Sequence, residues 1–223
     1  MATEEKMEIY FVRHADVVGG ATDDRDPCDR ELTELGKQEI ELLGDRFADV
    51  RFDAYFSSPL VRCVHTASAV LNRYPEHPVL EIMPEMVEKS TPVGYLGQDL
   101  DYLSRYYDNL TLCKDVIYGG PDHIFDKDSK IDCLRRMDAV IEYLRNRFGY
   151  GKRVIVFSHA CIGNNFLQSA MDLHDEDLTQ FRMTMFNTSV SKVKFTSDGV
   201  RRVSFSNDIS HLRPLFPHYE LDM

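Results

Sequence analysis

The chain is short of several things, and each shortage excludes a class of function. No apolar run approaches the length that spans a bilayer. The first eight residues, Met1 to Glu8, lack the apolar core of a signal peptide, so a cytoplasmic protein is expected. Basic charge is in deficit, 26 Lys and Arg against 37 Asp and Glu. The resulting net charge of −11 and pI of about 5.1 argue against nucleic-acid partners and anionic membranes. Cysteine is sparse, odd in number and scattered (Cys28, Cys63, Cys113, Cys133, Cys161), which reads as free thiols in a reducing compartment. There is no internal repeat, low-complexity tract or interdomain linker, so residues 1–223 read as a single domain, a size that buries a full core.

What is present alternates strand and helix. Ile9-Tyr10-Phe11-Val12 ends a strand over residues 8–12, and Val154-Ile155-Val156-Phe157 forms another. Both are too apolar for a half-exposed strand and read as buried members of a parallel sheet. Thr33 is placed to cap a helix carrying Ile40, Leu42, Leu43 and Phe47. A short strand over 54–56 precedes a helix expected to be capped by Ser58, with Pro59 at its first position, and to run to Tyr74. A third strand covers 79–82. Residues 83–130 lose the pattern, with weak helical periodicity over 100–107, and read as a small insertion over the sheet's edge. An amphipathic helix over 131–148 closes at Gly149, a further helix covers about 162–171, and strands 190–195 and 200–205 form a hairpin turned at Ser197-Asp198-Gly199. The fold class is α/β with a mainly parallel sheet.

Arg13-His14-Ala15 follows the first buried strand and Ser158-His159 the second. In open α/β sheets ligands bind outside the carboxyl ends of the strands. Two histidines and an arginine delivered there suit a phosphoryl group, with an imidazole to attack phosphorus and cationic donors to hold its oxygens. Either histidine alone would read as a structural strand-end residue; it is their matching contexts that favour chemistry. Arg62, on the helix after Ser58, adds a second guanidinium with the helix dipole behind it. A leaving alkoxide needs a general acid, expected from the insertion. Tyr95, Tyr102, Tyr106 and Tyr107 either line the substrate side or pack a cap. Cys63-x-His65 and His159-x-Cys161 invite a zinc reading, but residues two apart on a helix diverge, and Asp23-Asp24-Arg25-Asp26 reads as a solvated loop. No metal or cofactor is therefore expected.

These motifs resemble the histidine phosphatase superfamily, which includes phosphoglycerate mutases. Val12-Arg13-His14-Ala15 is similar to its Arg-His-Gly signature, and Ser57-Ser58-Pro59-Leu60-Val61-Arg62-Cys63-Val64-His65-Thr66-Ala67 to its Ser-Ser-Pro-x-x-Arg-x-x-x-Thr-Ala segment. Val156-Phe157-Ser158-His159 resembles the strand of the second histidine, and Asn207-Asp208-Ile209-Ser210-His211-Leu212 a C-terminal segment of small phosphatase members. The resemblance implies a three-layer α/β/α, phosphoglycerate mutase-like fold with an inserted cap. It also implies a phosphomonoesterase forming a phosphohistidine on His14, with Arg13, Arg62 and His159 binding the phosphoryl group. Pro84-Glu85-Met86-Val87-Glu88 looks like the family's Pro-x-Leu-x-Glu segment and places the acid at Glu88, with Glu85 as the alternative. Ala15 stands for the usual glycine, Cys161 for a small residue, and Val17 and Gly20 where mutase-like members carry hydroxyl and asparagine side chains. These departures favour a phosphatase of small phosphorylated metabolites over a mutase. A protein phosphatase acting on a phosphorylated side chain and a catalytically silent phosphate binder stay open as well. So does a homodimer, since Leu215-Phe216-Pro217 can pack on this chain or on a partner.

Overall fold

The computed structural model describes residues 6–19, 29–89, 97–115, 117–120, 123, 125, 128–174 and 182–217. Its strands are β1 (Lys6–Arg13), β2 (Ala54–Ser57), β3 (Leu80–Ile82), β4 (Leu110–Leu112), β5 (Arg153–Ser158), β6 (Val190–Thr196) and β7 (Arg201–Asp208). Its α-helices are α1 (Glu34–Phe47), α2 (Val61–Leu71), α3 (Leu100–Leu103), α4 (Lys130–Phe148) and α5 (Ala160–Ala170). One seven-stranded sheet runs β4-β3-β2-β5-β1-β6-β7, parallel through the first five strands and antiparallel at β6 and β7.

Side-chain alternation along the buried strands sorts the core into two layers. Val154 and Val156 of β5, with Ile9 and Phe11 of β1, face α4 and α5 through Met137, Ile141 and Phe166. Ile155 and Phe157, with Tyr10 and Val12, face α1 and α2 through Leu43, Phe47, Val64 and Leu71. This is the three-layer α/β/α arrangement, and burial on both faces is why the central strands read as unbroken apolar runs. Among the described residues, no helix is long and apolar enough to cross a membrane.

Thr33 accepts from the Gly36 backbone amide and starts α1 as expected. Ser129 and Asp132 form a capping box at α4, and Gly149 ends that helix at φ 69°. The hairpin of β6 and β7 also forms.

Two expectations are corrected. Ser58 does not cap α2, which begins at Val61 after an extended Leu60; Asp29 Oδ1, from a distant loop, accepts from the Val61 amide at 2.6 Å. The insertion is also more than a cover. Its helical stretch is only one turn, α3, and it contributes β4, a full member of the sheet beside β3. A three-residue strand is too short to show a period of two, so the sequence concealed it.

Candidate active site

The parallel pairing of β1 with β5 sets Arg13 opposite Ser158, so His14 and His159 leave neighbouring strands at the same end of the sheet. The His14 amide donates to the Ser158 carbonyl at 2.9 Å, and the two imidazole centroids lie 5.2 Å apart. Both rings are buried.

His14 Nδ1 donates to the Ala15 carbonyl at 2.7 Å. A carbonyl only accepts, so Nδ1 keeps the proton in the neutral ring and Nε2 presents its lone pair. Burial, then the Arg62 and Arg13 cations, hold His14 well below the usual imidazole range. The His14 carbonyl takes the Asn187 side-chain amide at 3.0 Å and the Thr188 backbone amide at 3.3 Å. His211 binds Thr188 Oγ1 at 3.1 Å through Nε2, and Arg46 joins its Nδ1 to Asp208. The C-terminal motif thus braces the loop behind His14.

His159 is depressed in the same sense, by burial and then by Arg62, His14 and Arg13. Its Nε2 shares a hydrogen bond with Ser58 Oγ at 2.8 Å and lies 3.4 Å from Cys63 Sγ. Ser58 therefore positions the second histidine rather than a helix end. Arg62 sits in the first turn of α2, where the partial positive charge of the helix is strongest. Thr66, one turn on, donates from Oγ1 to the Arg62 carbonyl and accepts the Ala15 amide, tying α2 to the loop after β1. Arg13 Nη1 donates to the Met185 carbonyl at 2.6 Å, while its buried Nε has no hydrogen-bond partner among the described residues.

Glu88 lies at the same end. Its carboxylate accepts the Cys161 amide at 3.2 Å, just beyond His159, and is close enough to Arg13 to act on its charge. Glu85 points elsewhere: it is buried, accepts the Ile117 amide and lies near Arg136. Tyr107 is core, its hydroxyl on the Pro78 carbonyl, whereas Tyr106 lies against the His65 ring and Tyr102 against Tyr106. Cys63 faces His159 while His65 faces Tyr106, so the Cys-x-His pair diverges. No three His, Cys, Asp or Glu among the described residues are grouped to hold a metal. Gly20, the 23–26 acidic loop, Cys28 and Tyr95 lie outside the described residues.

The sequence matches the histidine phosphatase superfamily (branch 1) over residues 9–208. The chain belongs to that superfamily. A relative in Schizosaccharomyces pombe, described as a probable phosphatase, is 25% identical over 217 residues, covering 92% of this chain and 95% of the relative. A phosphoserine phosphatase variant from Entamoeba histolytica, solved with phosphoserine, superposes with a TM-score of 0.65 at 19% identity, covering 92% of this chain and 99% of that one. A phosphoglycerate mutase from Bacillus anthracis gives a TM-score of 0.63 at 18% identity, over 94% and 96% of the two chains. The histidine phosphatase fold is therefore phosphoglycerate mutase-like, and phosphatase activity is supported.

Sequence reasoning about this histidine phosphatase missed Asp29, Asn187, Thr188 and Glu39. The Glu39 carboxylate is buried, accepts the Asp16 amide at 2.8 Å and sits within the field of Arg13. None of the four stands next to a catalytic motif in sequence. Gly36 carried a quieter signal: a Cβ there would collide with the Asp16 carbonyl, so only glycine lets α1 approach the loop after His14.

Proposed function

We propose that the chain is a phosphomonoesterase that hydrolyses a small phosphorylated metabolite through a phosphohistidine on His14. The observation that carries this reading is the His14 tautomer, with Nδ1 committed to the Ala15 carbonyl and Nε2 left as the nucleophile. Arg13, Arg62 and His159 hold the phosphoryl oxygens. Nε2 attacks phosphorus in line as the ester P–O bond breaks, and Glu88, in its acid form, passes its proton to the leaving oxygen. A water then gives a proton to the Glu88 carboxylate and attacks the phosphohistidine, which releases inorganic phosphate and restores both residues. The contact of Glu88 with the Cys161 amide beside His159 favours it over Glu85 for this role. In this reading residues 1–223 act as one domain, with 83–130 as its inserted region.

The test is hydrolysis of p-nitrophenyl phosphate. His14→Ala is expected to lower kcat/KM by roughly a thousandfold or more. Acid-labile phosphate should be trapped on the unsubstituted protein and absent from the variant. Because no proposed step runs through a metal, excess chelator should leave the rate unchanged. Activity that survives His14→Ala overturns the reading.

A further inference from the structure

Glu39 carries a carboxyl that the mechanism does not use, and the fold buries it against the loop of the nucleophile. α1 starts at its Thr33 cap, and Gly36 lets the first turns touch the chain after His14. Three residues on, Glu39 is only 3% exposed, and its Oε2 accepts the Asp16 backbone amide at 2.8 Å. That amide and the Ala15 carbonyl are the two ends of one peptide unit. The carbonyl end accepts Nδ1–H of His14 at 2.7 Å. The N–H and C=O of a trans peptide point opposite ways, here one to Glu39 and the other to the imidazole. Thr33 clamps the unit from beyond: its amide donates to the Asp16 carbonyl at 3.1 Å and its Oγ1 to the Asp16 carboxylate at 2.7 Å.

Amide resonance couples the two ends. A hydrogen bond donated by N–H and one accepted by C=O both favour the charge-separated form, so each strengthens the other. A carboxylate is a stronger acceptor than a carboxylic acid or an amide. Ionised Glu39 therefore makes the Ala15 carbonyl a better acceptor for Nδ1–H and enriches the lone pair on Nε2. A carboxylate does the same to an imidazole that it touches directly. Few charges bear on Glu39. Arg13, at the end of β1, and Asp16, on the loop, act on it. α2 faces this stretch of α1 with Ala69; of its charged and titratable groups Arg62 acts on His14, His65 faces Tyr106 and Arg73, just past its end, is taken by Glu41 and Asp45. On the 210–212 turn, His211 is taken by Arg46, and on α1 itself Lys37 is taken by Glu34. Glu39 has no ion-pair partner among the described residues. Burial, tempered by the Asp16 amide, accordingly lifts its carboxyl to about 7.

We propose that Glu39 is a positioning residue for the nucleophile, acting on His14 through the Ala15–Asp16 peptide and strengthening its attack on phosphorus when ionised. The assignment takes His14 as the nucleophile from the reading above, and its test separates the two.

The first measurement is the pH profile of kcat/KM for p-nitrophenyl phosphate in the unsubstituted protein and in Glu39→Gln. Glutamine keeps an acceptor for the Asp16 amide and removes the charge. The titrations of the substrate and of Glu88 are common to both proteins and cancel in the ratio of their kcat/KM values. That ratio should be near one at pH 5.5 and rise to roughly fivefold in favour of the unsubstituted protein at pH 8. Inorganic phosphate should inhibit the variant at least as well, because Arg13 then faces one negative charge fewer. A ratio that stays constant with pH, or weaker inhibition of the variant by phosphate, overturns the proposal. The second measurement needs no turnover and, in the unsubstituted protein, no variant that folds. It follows the Nδ1 proton of His14 by magnetic resonance. His14 itself titrates well below this range, so its ring stays neutral. The proton should move downfield with a midpoint of about 7 as Glu39 ionises, and the movement should vanish in Glu39→Gln. A resonance that ignores this ionisation overturns the proposal even where activity is intact. Absence of p-nitrophenyl phosphate hydrolysis by the unsubstituted protein overturns the phosphomonoesterase reading instead, and the resonance still decides whether Glu39 acts on His14.

Discussion

A histidine that attacks phosphorus must be neutral, and the residues around His14 enforce that state. Removing water and adding two guanidinium groups both disfavour the imidazolium. A depressed pKa means that protonation waits for a lower pH. When nitrogen-15 imidazole resonances are followed through a titration, His14 should stay neutral as pH falls through 6.5, with its proton on Nδ1; an imidazolium at pH 6.5 contradicts the assignment. Glu39 shows the opposite shift. Burial, tempered by the Asp16 amide, raises its carboxyl to about 7. A carboxyl raised above its unfolded value stabilises the fold while protonated, and that contribution is lost as pH rises from about 4.5 to about 7. Glu39→Gln keeps an acceptor for the Asp16 amide and removes the titration. Urea unfolding should show the variant gaining on the wild type between pH 5 and pH 8, by on the order of 2 kcal/mol. A difference independent of pH would rule this account out.

Whole elements decide where those residues stand. Two adjacent parallel strands suffice to bring His14 and His159 together, and both strands were legible because burial on two faces writes them as unbroken apolar runs. Arg62 was legible through its spacing from Ser58, and Glu88 only through resemblance. The illegible parts depend on distant partners. Ser58 has the composition of a helix cap, yet its hydroxyl serves His159, 101 residues away, and tertiary geometry overrides local propensity. Asn187 reaches the His14 carbonyl across 173 residues, a separation over which a single sequence carries no signal. The cap of α2 comes instead from Asp29, which fixes the turn bearing Arg62. Asp29→Ala should lower stability by about 1 kcal/mol, the usual worth of a cap. It should also raise KM for p-nitrophenyl phosphate several-fold, because Arg62 loses its fixed approach. Asp29→Asn should retain most of both. Unchanged KM in the alanine variant would show that α2 holds Arg62 without this cap.

For the molecule as a whole, the question is what anchors β1, the strand that carries Arg13 and His14, at its other end. Glu8 is a buried carboxylate near the start of β1, and three cations converge on it: Arg153 of β5 at 2.9 Å, Lys192 of β6 at 2.9 Å and Lys194 of β6 at 3.7 Å. One acid thus ties together three adjacent strands, β5, β1 and β6. Burial alone would raise its pKa, but the hydrogen bonds from Lys192 and Arg153 outweigh that and hold it below the usual carboxylate range. A carboxyl lowered in the folded state adds stability that is present above its unfolded value, near 4.5, and is lost as pH falls through the folded value. Glu8→Gln leaves the three cations facing one another without their counter-charge, and breaking such a cluster costs about 3 kcal/mol. The variant should show a lower urea midpoint with an unchanged m-value at pH 7, and the gap should close as pH drops below about 4. Because β1 also positions His14, p-nitrophenyl phosphate activity should survive in the folded variant but be lost at lower urea, in step with unfolding. A gap that stays constant into acid would mean that Glu8 acts by packing and not by charge.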